Sequence, residues 1–436
     1  MDPKNQRRLE RVLEDISSAE MALQFLEQSP GELNHLYIPL LKHTLRVNRK
    51  TVECVEQERP LVASYFSNAP EICAAMDIHW FTPLGQCYGV GGGESSHLME
   101  DLEACDKLPV ASDICTLLRL ALYHLDAGLV PLPTALVALI EPCDGLVGLH
   151  EAMRCHREWR HIPVFAPDPP YLGGERSVNY FAHELRRMVS FLEEHTGQRL
   201  DIDRLRGVTK ETNKKYELWA EWSELRRASP CPHGSIWELP IFYVVQGPGC
   251  EDPNMTGWYE DLFADAEKRV REKRPEVPNQ RIRFLWFDIQ AVWIAHLFPW
   301  MEQEWGAIEV VDMVGYCPFT LVDTSTEETM FHDLAKRNLM DTQMVRQARG
   351  LADNFLSDIT RIVKDYKIDC VIWPGHMGHK DGAASVSLMR ETCRDLGVPF
   401  LHIGVDQFDR RYTTIDQMKD RISQFFSTMG WEKMSP

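Results

Sequence analysis

The sequence predicts an α/β protein with two doubly wound parallel-sheet domains behind an N-terminal helical segment. Three observations predict it. Short apolar runs alternate with helical stretches, as parallel strands joined by crossover helices require. The alternation occurs twice, on either side of a long helical stretch. A chain of 436 residues with 44% apolar content is also large enough for two or three domains with cores of their own.

The elements follow in order. Leu9, Val12, Leu13, Ile16, Ala22, Phe25 and Leu26 recur at helical spacing and predict a helix over about 7–28, with a second over about 32–57. From Pro60 the texture changes, and Leu61–Tyr65, Ile78–Pro83, Ala135–Glu141 and Ile162–Ala166 read as strands between helices. Residues 178–228 read as long helices with Leu205, Val208, Tyr216, Trp219, Trp222 and Leu225 as a buried stripe, and the Pro/Gly/Cys-rich stretch 229–255 reads as a connector. Arg281–Phe287, Ala307–Met313, Asp369–Trp373 and Val398–Ile403 read as a second set of strands, with helices at about 291–305, 343–366, 384–396 and 415–428. The expected divisions are a helical segment 1–59, a first α/β domain with a helical insertion 60–230, a connector 231–280 and a second α/β domain 281–436.

Composition excludes several functions. A formal charge of −18 opposes a phosphate-backbone partner, because nucleic-acid binding draws most of its affinity from a basic face. No apolar run approaches a membrane span and the first residues do not form a secretory signal, so a soluble, cytoplasmic protein with no membrane partner is expected. Twelve cysteines in such a chain read as buried residues, metal ligands or redox groups rather than as a disulfide framework.

Two cysteines stand where a thiolate is useful. Cys115 precedes Thr-Leu-Leu-Arg at the start of a helical run, and Cys143 lies where a buried strand gives way to a helix. Exposed backbone N–H groups and the helix dipole favour an ionised thiol at such positions, and the thiolate is the form that binds metal. The loop Pro374-Gly-His-Met-Gly-His-Lys-Asp-Gly-Ala follows a strand end, where open parallel sheets bind ligands. Within it His376, His379, Lys380 and Asp381 form a candidate acid/base or metal group, to be weighed against solvated loop residues. Gly89-Val-Gly-Gly-Gly lacks the full dinucleotide fingerprint and reads as a flexible turn. Trp286, Trp293, Trp300 and Trp305 read as core or subunit interface.

Taken in order, Leu61 to Glu71, Cys115 before Thr-Leu-Leu-Arg, Cys143 before Asp-Gly-Leu, and Ile162 to Tyr171 resemble the 2-hydroxyacyl-CoA dehydratase and benzoyl-CoA reductase family. Leu388-Met-Arg-Glu, Leu396 to Ile403 and Asp406 to Tyr412 resemble the same family's closing helix, strand and loop, so the likeness covers about residues 60–425. The resemblance implies two Rossmann-like domains in an iron-sulfur subunit, with a [4Fe-4S] cluster held by three cysteines. It also implies pairing with a homologous large subunit and supply of low-potential electrons by an ATP-dependent iron-sulfur activator protein. The substrate would be an acyl-CoA thioester, undergoing benzoyl-CoA-type reduction or 2-hydroxyacyl-CoA dehydration.

Carried over by position, Cys115 and Cys143 match the first two cluster ligands. The third should fall in the loop after the Asp369–Trp373 strand, where this sequence has Gly378 with His379 beside it. His379, Cys87 or Cys317 are the candidate completions, since imidazole as well as thiolate ligates iron. Two other readings stay open: a catalytically degenerate structural or electron-relay partner of a homologous subunit, and a zinc-dependent enzyme using His376, His379 and a cysteine.

Overall fold

The structure is a computed structural model, and it describes residues 2–65, 68–84, 94–141, 144–350 and 352–434. Among these residues eight strands form two parallel sheets: β1 (Leu61–Ala63), β2 (His79–Phe81), β3 (Ala135–Val137) and β4 (Val164–Phe165) in one, and β5 (Ile282–Trp286), β6 (Ala307–Asp312), β7 (Cys370–His376) and β8 (Phe400–Val405) in the other. The strand orders are β2-β1-β3-β4 and β6-β5-β7-β8, so the two halves repeat one topology. In each, the order reverses between the first and third strands, which opens a crevice at the strands' carboxyl ends.

Both faces of each sheet are covered, which is why the strands read as nearly continuous apolar runs. In the first sheet Val62, Trp80, Ala135 and Val137 pack against Phe181, Leu185, Met188 and Leu192 of helix Glu175–Thr196. The opposite face, with Leu61, Ala63 and Leu136, packs against Leu118 and Leu125 of helix Thr116–Asp126 and against Leu149 and Met153 of helix Asp144–Cys155. In the second sheet Ile282, Phe284 and Trp286 meet Met301, Trp305, Ile422 and Phe426, while Leu285, Ile308 and Val371 meet Phe355, Ile359 and Met389. Each buried Val, Leu, Ile, Phe or Met among these contributes roughly 1.5–3 kcal/mol of transfer free energy.

Trp286, Trp293 and Trp305 are fully buried, and Trp300 packs against the same cluster. The first three are core, and Trp300 is half-buried at its edge. The stretch 229–255 is more ordered than a connector: it contains helix Glu238–Val245, and helix Pro253–Glu272 begins within it. With helix Ile202–Leu225 and Leu36 of helix Asn34–Glu56 these build a separate core around Trp219, Trp222, Trp237 and Trp258. The helix expected at 343–366 is two, Val345–Ala348 and Asp353–Asp365.

Candidate functional site

Cys115 is the N-cap residue of helix Thr116–Asp126, and its carbonyl accepts from the N–H groups of Leu118 and Arg119 at 2.9 and 3.1 Å. The next residue fixes this helix start to the second half of the chain, because the Thr116 hydroxyl donates to Asp406 Oδ2 at 2.6 Å beyond β8. The Cys115 side chain therefore meets the carboxyl end of β7. There the Sγ lies 3.2 Å from Nε2 of His376, the last residue of that strand.

The hydrogen bonds around His376 fix its tautomer. Its Nδ1 accepts the main-chain N–H of Gln407 at 3.2 Å, so the ring proton sits on Nε2 and points to the Cys115 sulfur. Burial, with His379 and Lys380 nearby, pushes the His376 pKa well below the ordinary imidazole value, which keeps the ring neutral. His379 behaves oppositely. Burial favours its neutral form, but Asp288 prevails and raises its pKa: Nδ1 donates to Asp288 Oδ1 at 3.1 Å and lies 3.3 Å from Oδ2. Asp288 Oδ1 also accepts from Ile289 N–H at 2.7 Å and Gln407 Nε2 at 3.2 Å, which holds the carboxylate in place.

These groups end a cavity of about 320 Å³. Phe287, Asp288 and Ile289 reach it from beyond β5, Met313 and Val314 from beyond β6, His379 from beyond β7, Gln407 from beyond β8, and Thr82 and Leu84 from beyond β2. Helix Glu238–Val245 adds Leu239, Phe242 and Tyr243, and the N-terminal helices add Asp15, His43 and Asn48. Burial and the neighbouring Glu14 carboxylate, with Arg11 opposing, push Asp15 up to about 7. The result is a mainly apolar pocket with a few convergent polar groups, the usual form of a small-molecule site.

Of the residues proposed from sequence, the structure brings Cys115, His376 and His379 together. Cys87 and Cys143, and the glycine run at 89–93, lie outside the described residues. Cys317 is elsewhere, packed with Trp219 and Tyr216, where burial and Asp341 push its thiol pKa well above the ordinary value. Sequence reasoning missed Asp288, Gln407 and Asp15. The cue for the first two was their place just after a strand, and Gln407 also lies in the closing-loop stretch Asp406 to Tyr412.

Gly378, the expected third cluster position, packs directly against Cys115. A β-carbon on Gly378 would fall 2.4 Å from the Cys115 Cα and 2.6 Å from its Cβ. His376 occupies the space in front of the sulfur, and no second thiol from the described residues joins it.

The fold and the site define a protein with an apolar ligand crevice between paired α/β units. The chain belongs to the family described as "2-hydroxyglutaryl-CoA dehydratase, D-component", which matches residues 67–429. It is 21% identical over 318 residues to the alpha subunit of (R)-2-hydroxyglutaryl-CoA dehydratase from Acidaminococcus fermentans, a match that spans 71% of this chain and 63% of that protein. No helix among the described residues is long and apolar enough to cross a membrane.

Proposed function

We propose that this chain is a subunit of an acyl-CoA-processing enzyme of the 2-hydroxyacyl-CoA dehydratase type, and that its cavity takes the acyl part of the thioester. The observation that carries this reading is the cavity: apolar walls of Phe287, Met313, Val314 and Phe242 end on the polar group of Asp288, His379 and Gln407. Dehydration is favoured over benzoyl-CoA-type reduction because the matched family and the relative are both named as dehydratases.

The walls would exclude water from the reacting carbons. Loss of water requires a proton for the departing hydroxyl, and His379, whose proton Asp288 stabilises, is placed to supply it. Asp15 supplies a second titrating group on the cavity wall. In this reading a [4Fe-4S] cluster would supply the low-potential electron, with Cys115 and Cys143 the residues that would hold it, and an activator protein and a homologous subunit would be the partners. The packing of Gly378 on Cys115 favours a second reading, in which this chain is the partner lacking a complete cluster and its sister subunit holds one.

Calorimetric titration of the anaerobically purified protein with a 2-hydroxyacyl-CoA tests the first reading. Saturable binding that Val314→Trp abolishes is expected, and its absence in both the isolated chain and the co-purified complex overturns the proposal. Iron and acid-labile sulfide analysis of the separated chains then decides between the two readings, the second requiring cluster in the sister subunit alone.

A further inference from the structure

A buried group far along the helix from Cys115 has the composition of a metal site. His97 and Asp101 stand one helical turn apart at the start of helix Leu98–Cys105, so both side chains share one face. His124, near the end of helix Thr116–Asp126, faces them. Asp101 and His124 are fully buried and His97 is 6% exposed. Asp101 Oδ2 lies 2.7 Å from His124 Nε2 and 3.4 Å from His97 Nε2, and the three ligand atoms all fall within 4.8 Å of one another. Ligand atoms of a tetrahedral zinc site are about 3.3 Å apart when the bonds are roughly 2.0–2.1 Å. The His97 separation matches this, and the His124 separation requires only a small opening.

The surrounding groups match what a bound cation needs. A metal at Nε2 requires the ring proton on Nδ1, and for His97 that atom lies 3.2 Å from the Glu14 Oε2 carboxylate oxygen. The other oxygen of Asp101 accepts from Arg11 at 2.7 Å. Arg11 is shared, because it also donates to both oxygens of Glu14 at 2.9 and 3.1 Å. One guanidinium against two carboxylates leaves an excess of negative charge beside two imidazoles. Both outer groups come from helix Glu10–Gln28, so an ion here would fasten the N-terminal helix to the helix that Cys115 begins.

We propose that His97, Asp101 and His124 form a binding site for a divalent transition-metal ion of the zinc type, separate from any iron-sulfur centre. Two imidazoles and one carboxylate suit zinc, cobalt or ferrous iron rather than magnesium or calcium. The full chain, with any affinity tag removed, is stripped with a chelator and titrated with ZnCl2 and with CoCl2 against a chromophoric competitor. One equivalent is expected to bind, without sulfide, to wild type and to Cys115→Ala alike. His124→Asn should weaken it at least 100-fold, and Glu14→Gln, which alters only the outer group, by roughly 10–100-fold. Added zinc should raise the thermal midpoint of wild type but not of His124→Asn. If wild type binds neither ion at micromolar concentration, or binds with an affinity that Glu14→Gln and His124→Asn leave unchanged, the assignment is overturned. Neither outcome depends on acyl-CoA binding, so the test stands apart from the proposed function.

Discussion

Arg226 and Glu238 form an ion pair in which neither side chain has any solvent exposure. The guanidinium also donates to the Val310 carbonyl in β6 and stacks 4.2 Å over the Trp222 ring, while the other Glu238 oxygen accepts the Asp312 N–H at 2.8 Å. The pair thus joins the tryptophan-rich helical core to the second sheet. Arg226→Met should destabilise the fold by about 3–5 kcal/mol, because it strands a buried carboxylate. Chemical denaturation of the variant against wild type measures this, and a loss under ~1 kcal/mol would contradict it.

Glu309 and Asp312 flank the same pair. Burial, followed by the Glu238 charge, raises both pKa values well above the ordinary carboxylate range. The folded state therefore holds protons that the unfolded chain has released, so stability should fall as pH rises from the ordinary carboxylate value toward the raised folded one. Asp312→Asn removes one of the two groups and should flatten that slope. Denaturation midpoints between pH 5 and pH 8 give the comparison, and equal slopes would reject the assignment.

The glycine at 378 is required by space. Gly378→Ala should cost roughly 1–3 kcal/mol, since the atoms it meets include the Cys115 main chain, which cannot rotate away. Gly378→Cys should be destabilised as well, so rewriting the position alone should not create a cluster site. Thermal melts of both variants test this; unchanged midpoints would show that the two segments move apart readily.

Asp288 sustains the protonated form of His379. In Asp288→Asn the imidazole should lose its proton at a lower pH than in wild type, because the opposing carboxylate charge is gone. The raised pKa also means that the pair adds stability below the ordinary imidazole value, lost as pH rises through the folded one. Histidine side-chain NMR titration follows the change, and coincident curves would remove Asp288 from its positioning role.

The eight strands among the described residues were legible because a sheet covered on both faces leaves nearly continuous apolar runs, such as Ile-Arg-Phe-Leu-Trp and Ala-Ile-Glu-Val-Val, each broken by one charged residue. The end of β7 was not. Pro374 argues against a strand, yet β7 runs on to His376, because β5 pairs only as far as Trp286 with Ile372 and no donor is needed on that side beyond it. That extension carries His376 to Cys115, so its role was hidden by a local rule that tertiary context overrode. Cys115 was visible as a helix start, since capping is local. The His97, Asp101 and His124 group was invisible for the opposite reason: only the four-residue spacing of the first two lies in one stretch, and a separate helix supplies the third.

The cavity draws its lining from Asp15 and His43 in the N-terminal helices, Thr82 and Cys115 in the first half, and Asp288, Met313 and Gln407 in the second. An occupant would therefore bridge segments that are hundreds of positions apart along the chain, acting as a cross-link made of contacts. Its effect should spread well beyond the residues it touches: amide hydrogen exchange should slow together in helix Glu10–Gln28, helix Thr116–Asp126 and strand β5, as one cooperative unit. Severing the chain between the halves should abolish binding even if each piece kept its own sheet.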